Sequence, residues 1–286
     1  MTGPAGLSVL MSVYARESPE ALDAALTSLE TQTYAAQEVV LVKDGPLGPD
    51  LEAVLKAHRP ALPLRFVDLP RNVGLAAALN AGLREVTQPW VMRFDSDDIC
   101  LPDRIEKQVA CIAAGEADVF GAQIAEFETD PLQPKRNRLV PCAHLEIRRF
   151  AMRRNPFNHM TVCYRKDLVD SVGGYPGIPW MEDYALWLRL LGVGARTANL
   201  PEVLVLARVG NGMMVRRGGW RYVRSEWQLQ ALMRSLGMKP AWRAALDGTL
   251  RSAAFLLPVA ARERVYRHLL RRGATAPAAA RTGSGT

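Results

Sequence analysis

Nowhere in these 286 residues is there a run of about 18 apolar positions, so no membrane-crossing helix is expected. No G-x-G-x-x-G follows the first apolar segment and no G-x-x-x-x-G-K-[ST] occurs at all, which disfavours a dinucleotide fold and a P-loop ATPase. The four cysteines, Cys100, Cys111, Cys142 and Cys163, have neither metal-type nor redox-type spacing. Reduced thiols in the cytoplasm are the expectation. The apolar run Leu7 to Val13 has no basic segment before it and no small-residue cleavage site after it, so it does not read as a signal peptide. No internal repeat is visible.

Acid is scarce at one end. From residue 205 onward fifteen Lys or Arg stand against three Asp or Glu, whereas the remainder carries 21 basic and 26 acidic residues. The overall charge of +7 is therefore concentrated in a basic C-terminal part. Such asymmetry points to an anionic partner: lipid head groups, nucleic acid or a phosphorylated substrate. The rest of the composition, 49% apolar and 23% charged, is that of an ordinary globular chain with a substantial core.

Apolar segments at Leu7 to Val13, Glu38 to Val42, Leu64 to Asp68 and Trp90 to Phe94 read as strands, and Asp118 to Gln123 as a fifth. Between them lie helical patterns: Ser18-Pro19 followed by Leu22, Leu26 and Leu29, then Asp50 to His58, then Leu75, Leu79 and Leu83, then a helix opened by Pro102. This alternation is that of βαβ units. The expected fold class is α/β, a mostly parallel sheet flanked by helices and apolar on both faces. Residues 128–141, rich in Pro and basic side chains, read as a mobile loop, and 274–286 as a disordered tail.

Each strand end carries a polar feature. Tyr14, Arg16 and Glu17 follow the first strand, Asp44-Gly45 the second, Arg71-Asn72 the third, and Phe94-Asp95-Ser96-Asp97-Asp98 the fourth. Taken singly these read as turns and caps. Together they line one crest of an open sheet, where ligands gather at the carboxyl ends of strands. Clustered carboxylates repel unless a cation neutralises them, and hard oxygen ligands suit Mg²⁺ or Mn²⁺ held with substrate phosphates. A second segment, Gly173-Gly174-Tyr175 to Trp180-Met181-Glu182-Asp183, ends a Gly/Pro-rich loop in an acid pair at a helix start. That position suits either a dipole-complementing first turn or a general base.

The order S-V-Y, V-K-D-G, R-N-x-G-L, F-D-S-D-D and G-G-Y-x-x-x-x-W-M-E-D-Y resembles the family 2 glycosyltransferases of the GT-A fold, over roughly residues 7–235. It is similar to the small bacterial members that build exopolysaccharide and other surface glycans. The resemblance implies that Val13, Tyr14 and Glu17 wall the nucleotide base and that Asp44 accepts from it. Arg71 and Asn72 would lie near base and ribose. Asp95-Ser96-Asp97 would be the D-x-D motif, with Asp97 the direct Mn²⁺ or Mg²⁺ ligand and Asp95 beside it on the ribose side. Asp183 would be the catalytic base, Glu182 its tuner, and His159 a group near sugar or acceptor. Arg216 or Arg217 would neutralise the leaving diphosphate. Q-x-x-R-W, the signature of processive synthases, is absent, with Arg216-Arg217-Gly218-Gly219-Trp220 in that neighbourhood.

These readings imply an inverting transfer from a nucleotide-sugar, UDP-linked by resemblance, to a glycan or lipid-linked hydroxyl in surface polysaccharide assembly. The expected organisation is a GT-A domain over 1–217, a basic helical extension over 218–273 and the tail. Basic residues near an anionic leaflet contribute about 1 kcal/mol each, and Trp220, Trp227 and Trp242 suit an interface. Peripheral contact with the inner face of a membrane is one expectation and an ordinary helical subdomain the other. Two further alternatives are a sugar-phosphate nucleotidyltransferase, disfavoured by the lack of glycine in Tyr14 to Ser18, and a nucleic-acid-binding protein, for which no zinc, helix-turn-helix or aromatic-platform signature exists.

Overall fold

The computed structural model describes residues 6–210 and 218–257. The predicted tail, the end of the predicted extension and Arg216 and Arg217 lie outside them. Four parallel strands form the first half: β1 (Leu7–Val13), β2 (Glu38–Lys43), β3 (Leu64–Asp68) and β4 (Trp90–Arg93). Helices α1 (Pro19–Glu30), α2 (Pro49–His58) and α3 (Leu75–Glu85) make the crossovers. Ser18 starts α1 by accepting the Ala21 N–H at 3.2 Å, with Pro19 pre-set for the first turn.

The second half is mixed rather than parallel. It contains β5 (Ile99–Cys100), α4 (Arg104–Ala114), β6 (Val119–Phe127), β7 (Arg136–Arg138), α5 (His144–Ala151), a 3₁₀ turn at His159–Thr161, β8 (Cys163–Arg165), α6 (Lys166–Ser171), α7 (Glu182–Gly192) and β9 (Thr197–Arg208). The sheet order is β3-β2-β1-β4-β8-β6-β9-β5, with β7 on β6. β8 runs antiparallel to both β4 and β6, and β5 antiparallel to β9.

Three expectations change in detail. β3 is an edge strand, so Arg65 and Asp68 are exposed rather than buried in an apolar strand. Part of the predicted mobile loop is ordered: β7 pairs with β6, and buried Val140 donates its N–H to Gln123. The helix expected at Pro102 begins at Arg104, after a turn.

Both faces of the sheet are covered. Val9, Met11, Leu41 and Phe94 pack with Leu22, Leu26, Leu51 and Ile105 from α1, α2 and α4. Leu10, Val40, Val42 and Val91 pack with Leu79, Leu83, Leu186 and Trp187 from α3 and α7. A helical hairpin, α8 (Trp220–Ser235) and α9 (Ala241–Leu256), packs on α7 through Leu229 and Met233 against Ala185, Leu188 and Leu191. No helix among the described residues is long and apolar enough to cross a membrane.

Candidate active site

The register brings the polar strand ends to one crest. Val13 lies opposite Lys43, Lys43 opposite Asp68, and Leu10 opposite Arg93. The chain winds outward from β1 to β3, then returns to the other side of β1 as β4, so the strand order reverses between β1 and β4. Such a switch point opens a crevice for a ligand. Across it, the Ser96 hydroxyl donates to Glu17 Oε2 at 2.6 Å, tying the loop after β4 to the loop after β1.

On the outer side of the crevice, Asp44 is buried and already occupied. Its carboxylate accepts the N–H groups of Val73 at 2.7 Å and Gly74 at 3.1 Å, and its carbonyl accepts the Asn72 amide at 3.3 Å. Asp44 thus shapes the Asn72–Gly74 turn that starts α3, and any contact with a base would use its remaining lone pairs. Gly45 permits this approach: at φ +92° it has no Cβ, which would stand 2.7 Å from the Asn72 nitrogen. Arg71, Asn72 and Tyr14 are exposed at the rim. Val13 differs from expectation, because its side chain is wholly in the core. Only its backbone is available at the crest, where its carbonyl accepts the Asp44 N–H at 2.8 Å.

At the centre stands a residue the motif reading left unassigned. Arg93 ends β4 fully buried, pairs with the Asp95 carboxylate and donates to the Phe94 carbonyl. Burial alone would raise the Asp95 carboxyl, but the guanidinium outweighs it and holds Asp95 below the usual range. An Arg inside the apolar run Trp90 to Phe94 is the signal that would have found it, since buried charges are paired or functional.

Among the described residues Asp97 and Asp98 form no ion pair, and the fields of Arg208 and Arg93 on them are outweighed. Burial, then Asp95 and Glu17, push Asp97 up to about 7. Asp98, adjacent to the motif, is buried, accepts the Arg208 N–H at 2.8 Å through Oδ1, and leaves Oδ2 without a hydrogen-bond partner among the described residues. Arg208, at the end of β9, also donates from Nε to the Asp97 carbonyl at 3.2 Å.

Among the described residues no three His, Cys, Asp or Glu side chains converge as a metal cage. The hard, under-neutralised oxygens of Asp97 and Asp98 nonetheless fit a cation that takes one or two carboxylates and completes its shell with phosphate. Arg93 occupies one Asp95 oxygen, which leaves Asp97 the better placed of the two expected ligands.

The inner side is built on α7. Glu182 and Asp183 open it, as expected. Asp183 Oδ1 accepts the Tyr184 N–H at 2.7 Å, and Oδ2 accepts the Asn155 amide at 2.6 Å. Asn155 is thus a second residue whose role was not foreseen; its side chain fixes the acid from a separate segment. Burial, then Asp183, push Glu182 up to about 7.

Burial, then Arg93, lower His159 to about 4, against the opposing fields of Asp183 and Asp95. Its ring is neutral at physiological pH, lies against Tyr175 and Trp187, and its Nε2 is 3.3 Å from the Tyr175 hydroxyl. The Gly173-Gly174-Tyr175 loop is pinned to α3, where Asn80 exchanges two 2.8 Å hydrogen bonds with the Tyr175 backbone. Gly174, at φ +71°, leaves the room that Asn80 Oδ1 fills, 2.4 Å from where a Cβ would lie.

The family model for glycosyl transferase family 2 matches residues 8–172. The chain belongs to that family. Among similar curated proteins, the amylovoran biosynthesis glycosyltransferase AmsE of Erwinia amylovora is 44% identical over 91% of this chain and 97% of its own length. The Escherichia coli UDP-Gal:alpha-D-GlcNAc-diphosphoundecaprenol beta-1,3-galactosyltransferase is 34% identical over 93% of this chain and 96% of its own.

Among solved structures, Staphylococcus aureus TarS 1-349 in complex with UDP-GlcNAc superposes with a TM-score of 0.64 at 19% identity, over 79% of this chain and 66% of that one. The Pyrobaculum calidifontis mannosyltransferase in complex with GDP-Man and Mn²⁺ gives 0.59 at 20% identity, over 93% and 80%. The fold of this glycosyltransferase is GT-A.

Proposed function

We propose that this glycosyltransferase moves a sugar from a UDP-sugar, with inversion, to a hydroxyl of a lipid-linked or glycan acceptor in surface polysaccharide assembly. The observation that carries the reading is Asp183: a carboxylate at the start of α7, fixed by the Asn155 amide and close enough to His159 to act on its ring. The similarity to the galactosyltransferase whose substrate is a diphosphoundecaprenol-linked sugar supports a lipid-linked acceptor. The similarity to the TarS complex with UDP-GlcNAc is consistent with UDP.

In this mechanism the acceptor oxygen attacks the anomeric carbon while the bond to the diphosphate breaks, its electron pair leaving with the nucleotide. Asp183 takes the hydroxyl proton as general base, a role typically contributing about 10²- to 10⁴-fold. Glu182, Asp95 and the neutral His159 keep the pocket's charge arranged around Arg93. A divalent cation held by Asp97, with Asp98 or Asp95 beside it, would neutralise charge developing on the diphosphate. A single displacement turns an α-linked donor into a β-linked product.

The basic part of the chain belongs to the same reading, as a peripheral contact with the anionic leaflet in which a lipid-linked acceptor lies. The division into a GT-A domain over 1–217 and an extension over 218–273 is also kept as part of it. The test is Asp183→Asn, which should leave nucleotide-sugar binding intact and abolish transfer. Transfer at near wild-type rate would sink the assigned base.

A further inference from the structure

Helix α9 is amphipathic in the inverted sense. Its inward face carries charge. The buried Lys239 that precedes it donates to Asp247 at 2.8 Å and to Gln230 at 3.2 Å, and Arg251 reaches the fully buried Glu226 at 3.3 Å. Its outward face carries Trp242, Leu246, Leu250 and Leu256 at helical spacing, with Ala245 and Ala253 between them and Thr249 the one polar residue. Trp242 is 66% and Leu250 62% exposed. A helix facing water shows the reverse arrangement, and a contiguous apolar stripe on a surface marks something that covers it.

The C-terminal end of α9 lies near the segment that leads into α7. At its C-terminal end Phe255 packs edge-on against Tyr222, with ring centroids 4.6 Å apart, and Tyr222 lies 5.8 Å from Trp180. The Gly219 N–H donates to the Phe255 carbonyl, which brings exposed Trp220 to the same end. Trp180 precedes Glu182 and Asp183 by two and three residues. It is also the one non-glycine residue with positive φ (62°) among the described residues, and it is half-exposed. Strained backbone of this kind is retained where surrounding structure holds it at a working position.

Charge identifies the cover. Arg221, Arg224 and Arg234 are exposed on α8, and the sequence continues after α9 with Arg262, Arg264, Arg267, Arg271 and Arg272 against a single acid, Glu263. Two copies of so basic a region would repel one another, whereas an anionic bilayer attracts it. Trp and Leu on one face beside a basic flank are the composition of an interfacial helix.

We infer that the outward face of α9, continued by Trp220 and Trp180, is a docking surface for an anionic lipid bilayer, and that it presents the acid pair to a lipid-linked acceptor lying in that bilayer. The inference deepens the lipid-acceptor reading and names its surface.

The experiment uses the full chain with vesicles of phosphatidylcholine alone and of phosphatidylcholine containing about 30% phosphatidylglycerol, scored by co-sedimentation without donor or acceptor. The wild type should partition onto the anionic vesicles. Leu246→Glu/Leu250→Glu should bind at least about tenfold more weakly, with an unchanged melting temperature and unchanged donor hydrolysis in detergent-free buffer. Equal vesicle binding by the variant, or none by the wild type, would overturn the inference. So would a lower melting temperature in the variant, which marks the stripe as covered by the chain's own C-terminal residues, or a lipid-free dimer that the variant dissociates, which marks a second copy. Failure of wild-type donor hydrolysis with vesicle binding intact would count against the transferase reading alone.

Discussion

Replacing Asn155 by alanine removes the amide that donates to Asp183 Oδ2 at 2.6 Å. A hydrogen bond to an ionised carboxylate contributes about 1.5–3 kcal/mol. At about 1.4 kcal/mol per factor of ten, its full expression in the transition state is a fall in kcat of about 10- to 150-fold. Donor KM should change little, because the donor's proposed partners stand on the loops after β1 to β4 and Asn155 touches none of them.

Alanine also frees the Phe157 N–H, which donates to Asn155 Oδ1 at 3.3 Å. Asn155→Asp is therefore the companion variant: it keeps that acceptor but sets a second carboxylate against Asp183. A like charge raises the pKa of a carboxyl, and a base works only when deprotonated. The acid limb of the kcat profile should accordingly move to higher pH in Asn155→Asp. The assay is nucleoside diphosphate release with acceptor present, across pH, in a cycle with Asp183→Asn. If Asn155 acts through Asp183, adding Asn155→Ala to Asp183→Asn should cost almost nothing further. Additive losses, or a rise in donor KM with kcat preserved, would refute the reasoning.

Asp97→Ala should weaken nucleoside diphosphate binding in the presence of Mn²⁺ by at least about tenfold, as expected when a metal ligand is lost; unchanged calorimetric affinity would contradict the metal role. His58 joins α2 to α1 through Glu30 at 2.6 Å and Asp23 at 3.0 Å. Burial alone would lower its pKa, but the two acids outweigh burial and raise it. The contribution of its charge is thus fully present below the unfolded value of about 6.5 and disappears as pH rises through the folded value. His58→Gln should cost about 1 kcal/mol at pH 5.5 and progressively less toward pH 9. Denaturant melts showing a pH-independent difference would exclude the ion pair as its source.

The first half of the fold was readable because strands buried on both faces are written as apolar runs and each is closed by a turn signal such as Asp44-Gly45. The second half was not, because β5, β7 and β8 are two or three residues long. Strands that short carry no period, and they exist only because β6 and β9 are there to pair with. The acids that the fold brings to the crest were visible in the sequence as types at strand ends and a helix start, while their partners were not. Arg93 was hidden inside an otherwise hydrophobic strand. Asn155 read as one polar residue in a Pro/Asn loop, and nothing in the sequence says that its amide meets Asp183, 28 residues away. Asp44 was expected to receive a ligand and is found gripping its own chain. Local pattern gives the residue, and only the tertiary path gives its neighbour.

The hydrogen bond from the Arg208 N–H to Asp98 joins residues 110 positions apart, and β5 is held in the sheet by the same late strand, β9. In the order of synthesis, the loops after β1 to β3 have their local partners long before the acidic loop has its own. Closing a loop that long precedes the reward of its contacts. The acidic end of the crevice is therefore the last to assemble, and a nascent chain that has not yet delivered β9 has the proposed nucleoside side but no finished place for the proposed diphosphate.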